Sequence, residues 1–171
     1  MFSIIWVLFV LLALAAAASD ALTFRIPNVI IVGLLVLFVV AVALASTKKI
    51  PIPWANHIGA GALSLAVGLL LYGVGQMGAG DAKLLAVVAL WAGLSKLILL
   101  LFALAVTGVG ALLAILILRR LLGWLNRNKP DWKKSELPRV LRTGEGIPYG
   151  VAIVLGTVFV AGGFPHWLWS F

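Results

Sequence analysis

At 171 residues, 64% hydrophobic and only 11% charged, the chain has too little polar surface for a water-soluble domain, where about a quarter of residues are charged. It contains no cysteine, which excludes disulfides, thiol catalysis and cysteine-ligated zinc. The net charge of +8 is concentrated between Arg119 and Arg142, beside apolar segments, so it speaks for orientation in a membrane rather than for nucleic-acid binding.

Six uniformly apolar spans are predicted, at Phe2–Ala18, Val29–Ser46, Trp54–Tyr72, Ala82–Ser95, Leu97–Leu118 and Ile147–Phe164. About 20 apolar residues cross the hydrocarbon core, and in lipid such segments are helices because backbone groups must be satisfied internally. The expected fold is an all-α integral membrane protein of six transmembrane helices in one domain, residues 1–171, with an exposed loop over 119–146.

The first span ends in "LALAAAAS", small residues of the kind found at signal-peptide cleavage sites. No Lys or Arg precedes Arg25, so the basic leading region of a signal peptide is missing and the segment is read as a span. Asp20 follows it directly, and "SDALTFRIPN" leads into the second span. His57, in the third, lacks any ligand spacing to His166 and is read as a packing or interfacial residue.

"GQMGAGDAKLL", Gly75–Leu85, then places Asp81 behind three glycines and ahead of the fourth span, the shortest. Gly75, Gly78 and Gly80 allow unusual backbone angles and close approach of another helix. The last span begins with "GIPYG", which carries Pro148, Tyr149 and Gly150.

If Arg119–Gly146 is cytoplasmic, ten basic residues lie inside and only Lys48, Lys49 and Lys96 outside, with both termini outside; this is the positive-inside pattern. Trp6, Trp54, Trp91, Trp167 and Trp169 then fall near outer ends and Trp124 near an inner one, as in an interfacial belt.

Of five acidic residues, Asp131, Glu136 and Glu145 fall in the loop. Asp20 and Asp81 both fall at the inner membrane boundary. Asp20 is at the unfavourable end of its helix dipole, whereas Asp81 is placed to cap the fourth helix. Ionisable residues at membrane depth are functional candidates, and two at one level form a pair.

These segments resemble the type IV prepilin peptidases, intramembrane aspartic proteases that include the preflagellin peptidases. Gly78-Ala79-Gly80-Asp81 is similar to their Gly-x-Gly-Asp motif. Ser19–Asn28 is similar to their first-aspartate region, and Gly146–Gly156 to the last helix of the short branch serving Flp-type tight-adherence pili. The resemblance implies that Asp20 and Asp81 are catalytic, with Gly78, Gly80, Lys83, Arg25, Pro27 and Asn28 in motif or supporting positions. Pro148, Tyr149 and Gly150 would be substrate-facing.

It further implies a bacterial inner-membrane enzyme, multi-pass, acting at the cytoplasmic face. Its substrate would be a prepilin, a small protein whose short basic leader precedes a long hydrophobic helix. No metal or other cofactor is implied. Longer members carry an N-terminal cysteine-pair region associated with N-methylation. Here no cysteine is present, so peptidase activity without methyltransferase activity is expected. The oligomeric state stays open.

The chemistry has its own logic. Two carboxylates ~5 Å apart repel by about 3 kcal/mol at an effective dielectric of ~20, so the pair shares a proton and titrates as a unit. One then acts as base toward a water. Its protonated partner polarises the scissile carbonyl and protonates the leaving amine; which is which stays open. Lys83 reads either as tuning Asp81 or as a snorkelling boundary lysine, Arg25 as a contact for an acidic substrate residue or as a marker of the inner face, and Asn28 as a tether for the Asp20 loop or as a helix cap. Two other functions compete: a small ion-coupled transporter using the same acids, and a non-catalytic membrane scaffold in which they only cap and anchor.

Overall fold

The computed structural model describes residues 2–125, 141 and 149–161. Its elements are six helices: α1 (Phe2–Thr23), α2 (Asn28–Thr47), α3 (Trp54–Gly73), α4 (Ala79–Ala92), α5 (Leu94–Leu125) and α6 (Tyr149–Ala161). Four of them, α1, α2, α3 and α5, are long and apolar enough to cross a membrane. With only 14 residues, α4 is about 21 Å long.

The short helix is the centre of the bundle. α4 packs against α2, α3, α5 and α6, most extensively against α3, while α6 is wedged between α1 and α5. The α3–α4 approach is close because Gly68 has no side chain: a Cβ there would lie 2.9 Å from the Cβ of Ala82. Without a hydrophobic force between helices in lipid, such contact through small residues is what holds them together.

At the end of α4 away from Asp81, Trp91 is fully buried. Its ring meets Phe9 of α1 at 4.7 Å and Phe38 of α2 edge-on at 5.4 Å, and its Nε1–H donates to the Leu34 carbonyl at 3.2 Å. This corrects the interfacial expectation for Trp91. The indole finds its polar partner inside the bundle and so does not seek the interface. Trp54 and Trp124 are exposed, whereas Trp167 and Trp169 lie outside the described residues.

α4 stops at Gly93, whose φ of 74° is readily adopted only by glycine, and α5 begins at once. Two α3 residues satisfy the break. His57, fully buried, donates Nδ1–H to the Leu90 carbonyl at 2.8 Å, and Asn56 Oδ1 accepts from the Ser95 amide at 3.1 Å. His57 is thus a packing residue that closes an otherwise unpaired helix end.

Three boundaries differ from expectation. α1 runs on to Thr23 and takes Asp20 into its last turn. α4 is displaced toward the N-terminus, so that Asp81 lies within it and Ser95 belongs to α5. α5 continues through Arg119 and Arg120 to Leu125, so the first part of the expected 119–146 loop is helix. Leu and Arg are both strong helix formers, and positive charge at a membrane boundary does not end a helix. Most of that loop, with Asp131, Glu136 and Glu145, lies outside the described residues.

Candidate active site

Asp20 and Asp81, from α1 and α4, line one cavity of about 320 Å³ together with Phe24, Arg25, Ile26, Gly78 and Gly80. Both side chains are nearly enclosed, at 4% and 8% exposure, and Asp20 lies within coulombic reach of Asp81.

Asp20 is fixed by the way α1 ends. The Phe24 amide donates to the Asp20 carbonyl at 2.8 Å with Phe24 at φ 54°, a left-handed conformation that costs a non-glycine residue about 1 kcal/mol. Ser19 Oγ donates to the Arg25 carbonyl at 2.7 Å and Thr23 Oγ1 to the Ser19 carbonyl at 2.8 Å. These bonds wrap the reversal after α1 and hold the strained residue in place.

A carboxylate at the C-terminal end of its own helix meets the negative pole of that helix. The fold offsets this with a second helix. The N-terminus of α6 abuts the end of α1, and the Gly150 amide donates to Asp20 Oδ2 at 2.7 Å. The positive pole of α6 thereby replaces what α1 cannot supply. A Cβ at Gly150 would lie 2.8 Å from the same oxygen, so only glycine lets the backbone come this close.

Asp81 sits in the first turn of α4. The helix begins at Gly78, and the Asp81 carboxyl turns back toward the Gly78 amide at that N-cap, as a capping role requires, while also lining the cavity. A Cβ at Gly78 would come within 2.8 Å of Asp81 Oδ2, and one at Gly80 within 3.3 Å of Ile26 Cβ. Gly75 turns the chain at φ 74°. The three glycines therefore serve three purposes: a turn, room for the carboxyl, and contact with the loop after α1.

The amides of Gly78 and Gly150 lie within electrostatic reach of the Asp81 carboxyl. Its Oδ1 is buried with no hydrogen-bond partner among the described residues. Buried polar atoms are almost always partnered, so this oxygen is the open bonding position of the pair. Two helix N-termini, of α4 and α6, point at the two carboxyls and favour negative charge there, while burial and mutual repulsion oppose a second charge.

The supporting residues divide. Lys83 Nζ donates to Asn28 Oδ1 at 3.1 Å, which ties α4 to the start of α2; Asn28 makes no cap bond to α2, whose N-cap is Pro27. Arg25 is exposed on the cavity rim. Tyr149 is exposed beside Gly150, and Pro148 lies outside the described residues. Sequence reasoning placed Gly150 toward the substrate and passed over Ser19, Thr23 and Phe24. The available signal was the unfavourable dipole at Asp20, which calls for a compensating donor from elsewhere in the fold.

A sequence model of the type IV leader peptidase family matches residues 6–118, well over half of the chain. The chain belongs to the type IV leader peptidase family. It is therefore a leader-peptidase-like protease, built as an all-helical protein with several membrane-crossing helices, and its family implies prepilin substrates. The match takes in Asp20, Gly78, Gly80, Asp81 and Lys83 but stops before α6, so the bond from the Gly150 amide to Asp20 rests on the geometry and not on the match. No curated protein and no solved structure matches the chain.

Proposed function

We propose that this leader peptidase is an aspartic endopeptidase that removes the leader of Flp-type prepilins at the cytoplasmic face of the bacterial inner membrane, with Asp20 and Asp81 as its catalytic pair. One observation carries the reading: carboxyls from two helices distant in sequence converge, enclosed, on a single cavity. Scaffolding does not call for that convergence, and acid–base hydrolysis does.

In this mechanism the pair shares one proton at rest. The ionised carboxylate takes a proton from a water, the resulting hydroxide attacks the scissile carbonyl carbon, and the protonated carboxyl donates a hydrogen bond to the carbonyl oxygen. Collapse of the tetrahedral intermediate breaks the C–N bond, and a carboxyl proton passes to the leaving amine. The Gly150 amide holds Asp20 in register, and Asp81 Oδ1 faces the reacting atoms. The pH–rate profile is expected to be bell-shaped, with both limbs belonging to the pair rather than to either residue.

The test is cleavage of a purified full-length prepilin by the detergent-solubilised protein, followed by mass spectrometry of the products. Wild type is expected to cut once, at the junction of leader and hydrophobic helix. Substantial cleavage by Asp20→Asn or Asp81→Asn, with either variant accumulating normally, would falsify the paired-acid mechanism.

A further inference from the structure

The connection from α1 to α2 runs along the wall of the aspartate cavity, which Phe24, Arg25 and Ile26 line. Its backbone directions are fixed by bonds already described. The Arg25 carbonyl is turned toward α1, where it accepts from Ser19 Oγ at 2.7 Å and Thr23 Oγ1 at 3.3 Å. The peptide bond that follows is trans, so the Ile26 N–H points the opposite way, off α1. Ile26 precedes Pro27, which keeps it extended, and in extended chain the N–H and C=O of one residue share an edge. Ile26 therefore presents a donor and an acceptor side by side. Among the described residues nothing bonds to either group.

This open edge lies beside the acids. A Cβ on Gly80, the residue before Asp81, would be 3.6 Å from the Ile26 nitrogen. The segment is also held at both ends, by the hydroxyl bonds to Arg25 and by Lys83 Nζ, which donates to Asn28 Oδ1 at 3.1 Å. An edge fixed in this way binds without first having to be ordered.

We infer that Ile26 holds the substrate by its backbone, a reading that rests on the proposed peptidase function. The Ile26 N–H donates to one residue of an extended peptide, and the Ile26 C=O accepts from the N–H of that same residue. The chemistry calls for an extended occupant. In a helix each carbonyl already accepts from the amide four residues on, whereas attack needs an open carbonyl facing Asp81 Oδ1, itself buried and unpartnered among the described residues. Unwinding the peptide strips its backbone groups of their partners, and the Ile26 edge replaces two of them at the point of cleavage. Strand addition of this kind draws affinity from the main chain. The substrate residue opposite Ile26 is thus chosen for having an N–H, and proline is excluded there.

The experiment uses the full-length protein in liposomes with a full-length prepilin. The α-hydroxy analogue of isoleucine, placed at position 26, replaces that one N–H by oxygen and keeps the side chain. It is expected to raise KM about fivefold with kcat within about twofold, the mark of a lost ground-state hydrogen bond. The same replacement at Ile52, which also precedes a proline but lies beyond the far end of α2, is expected to leave KM unaltered. On the substrate side, semisynthetic prepilins are N-methylated one residue at a time across the cut. KM is expected to rise about tenfold at a single residue, with both neighbours within about twofold, because alternate residues of a strand face opposite edges.

Three results overturn the assignment while the wild type still cuts prepilin normally: an unaltered KM with the ester at 26, an equal rise with the ester at 52, or sensitivity to N-methylation spread evenly over consecutive residues. If the ester at 26 prevents accumulation, the substrate scan decides alone. These results leave the peptidase function standing. Failure of the wild type to cut any prepilin removes that function, and the role of Ile26 falls with it.

Discussion

α4 and α5 are both strongly apolar, yet their surroundings are opposite. In α4, Asp81 and nine apolar residues are buried across 14 positions. Only Leu97, Leu100 and Ala103 are buried along the 32 positions of α5. One helix uses its apolar surface against protein, the other against lipid. A helix enclosed by neighbours need not match the thickness of the bilayer, because its ends can finish inside the bundle. That freedom is what lets α4 begin where the bundle still encloses it, with Asp81 in its first turn. Apolarity alone measures the solvent a helix avoids, and only packing shows what it touches.

The sharpest way to break this contrast is at the acids. Asp81→Asn and Asp20→Asn are each expected to lower kcat by at least ~10³-fold, with normal accumulation in the membrane, measured as initial cleavage rates. Next comes the far end of α4. Trp91→Ala should cost about 3–5 kcal/mol by emptying the space between Phe9 and Phe38, seen as a lowered midpoint of thermal unfolding in detergent. Phe102→Ala, on the exposed side of α5, should stay within about 0.5 kcal/mol in the same assay. Comparable losses at the two positions would erase the distinction between the helices.

Gly150→Ala tests whether α6 helps set the geometry that α4 completes. The added methyl meets Asp20 Oδ2, and a displacement of about 1 Å at a reacting group costs on the order of 10²-fold in rate. Unfolding should barely change, which separates misplacement from collapse. A modest effect is expected from Asn28→Ala. It removes the acceptor of Lys83 and should cost about 1 kcal/mol of stability, read as a small shift of the same unfolding midpoint.

Much of this was legible in the residues, for identifiable reasons. α2 and α3 lie within a residue or two of their predicted bounds because lipid-exposed helices must be long and continuous. α4 was read at the right place but out of register, since a buried helix carries no length constraint and the Gly93 turn looks, in sequence, like any other glycine. Trp91 was misread because position near a span end cannot distinguish an interfacial indole from one enclosed by Phe9 and Phe38. The glycines before Asp81 announced a need for space or special backbone angles, but Gly75 answers a turn while Gly78 and Gly80 answer two different neighbours, Asp81 and Ile26. Gly150 was named for another role, because a backbone amide has no side-chain signature and reaches Asp20 from the opposite end of the chain.

The hydroxyl-wrapped reversal at Ser19–Arg25 has an evolutionary consequence. Because the stop is encoded locally, the height of the Asp20 carboxyl is anchored from below and owes nothing to how far α1 extends at its other extremity. Lipid-facing residues of the first half of α1, such as Ile4, Val7 and Leu8, are thus at liberty to drift or adapt to bilayers of different thickness. Mutational tolerance should accordingly form a gradient along α1, permissive at its start and strict over its final turn.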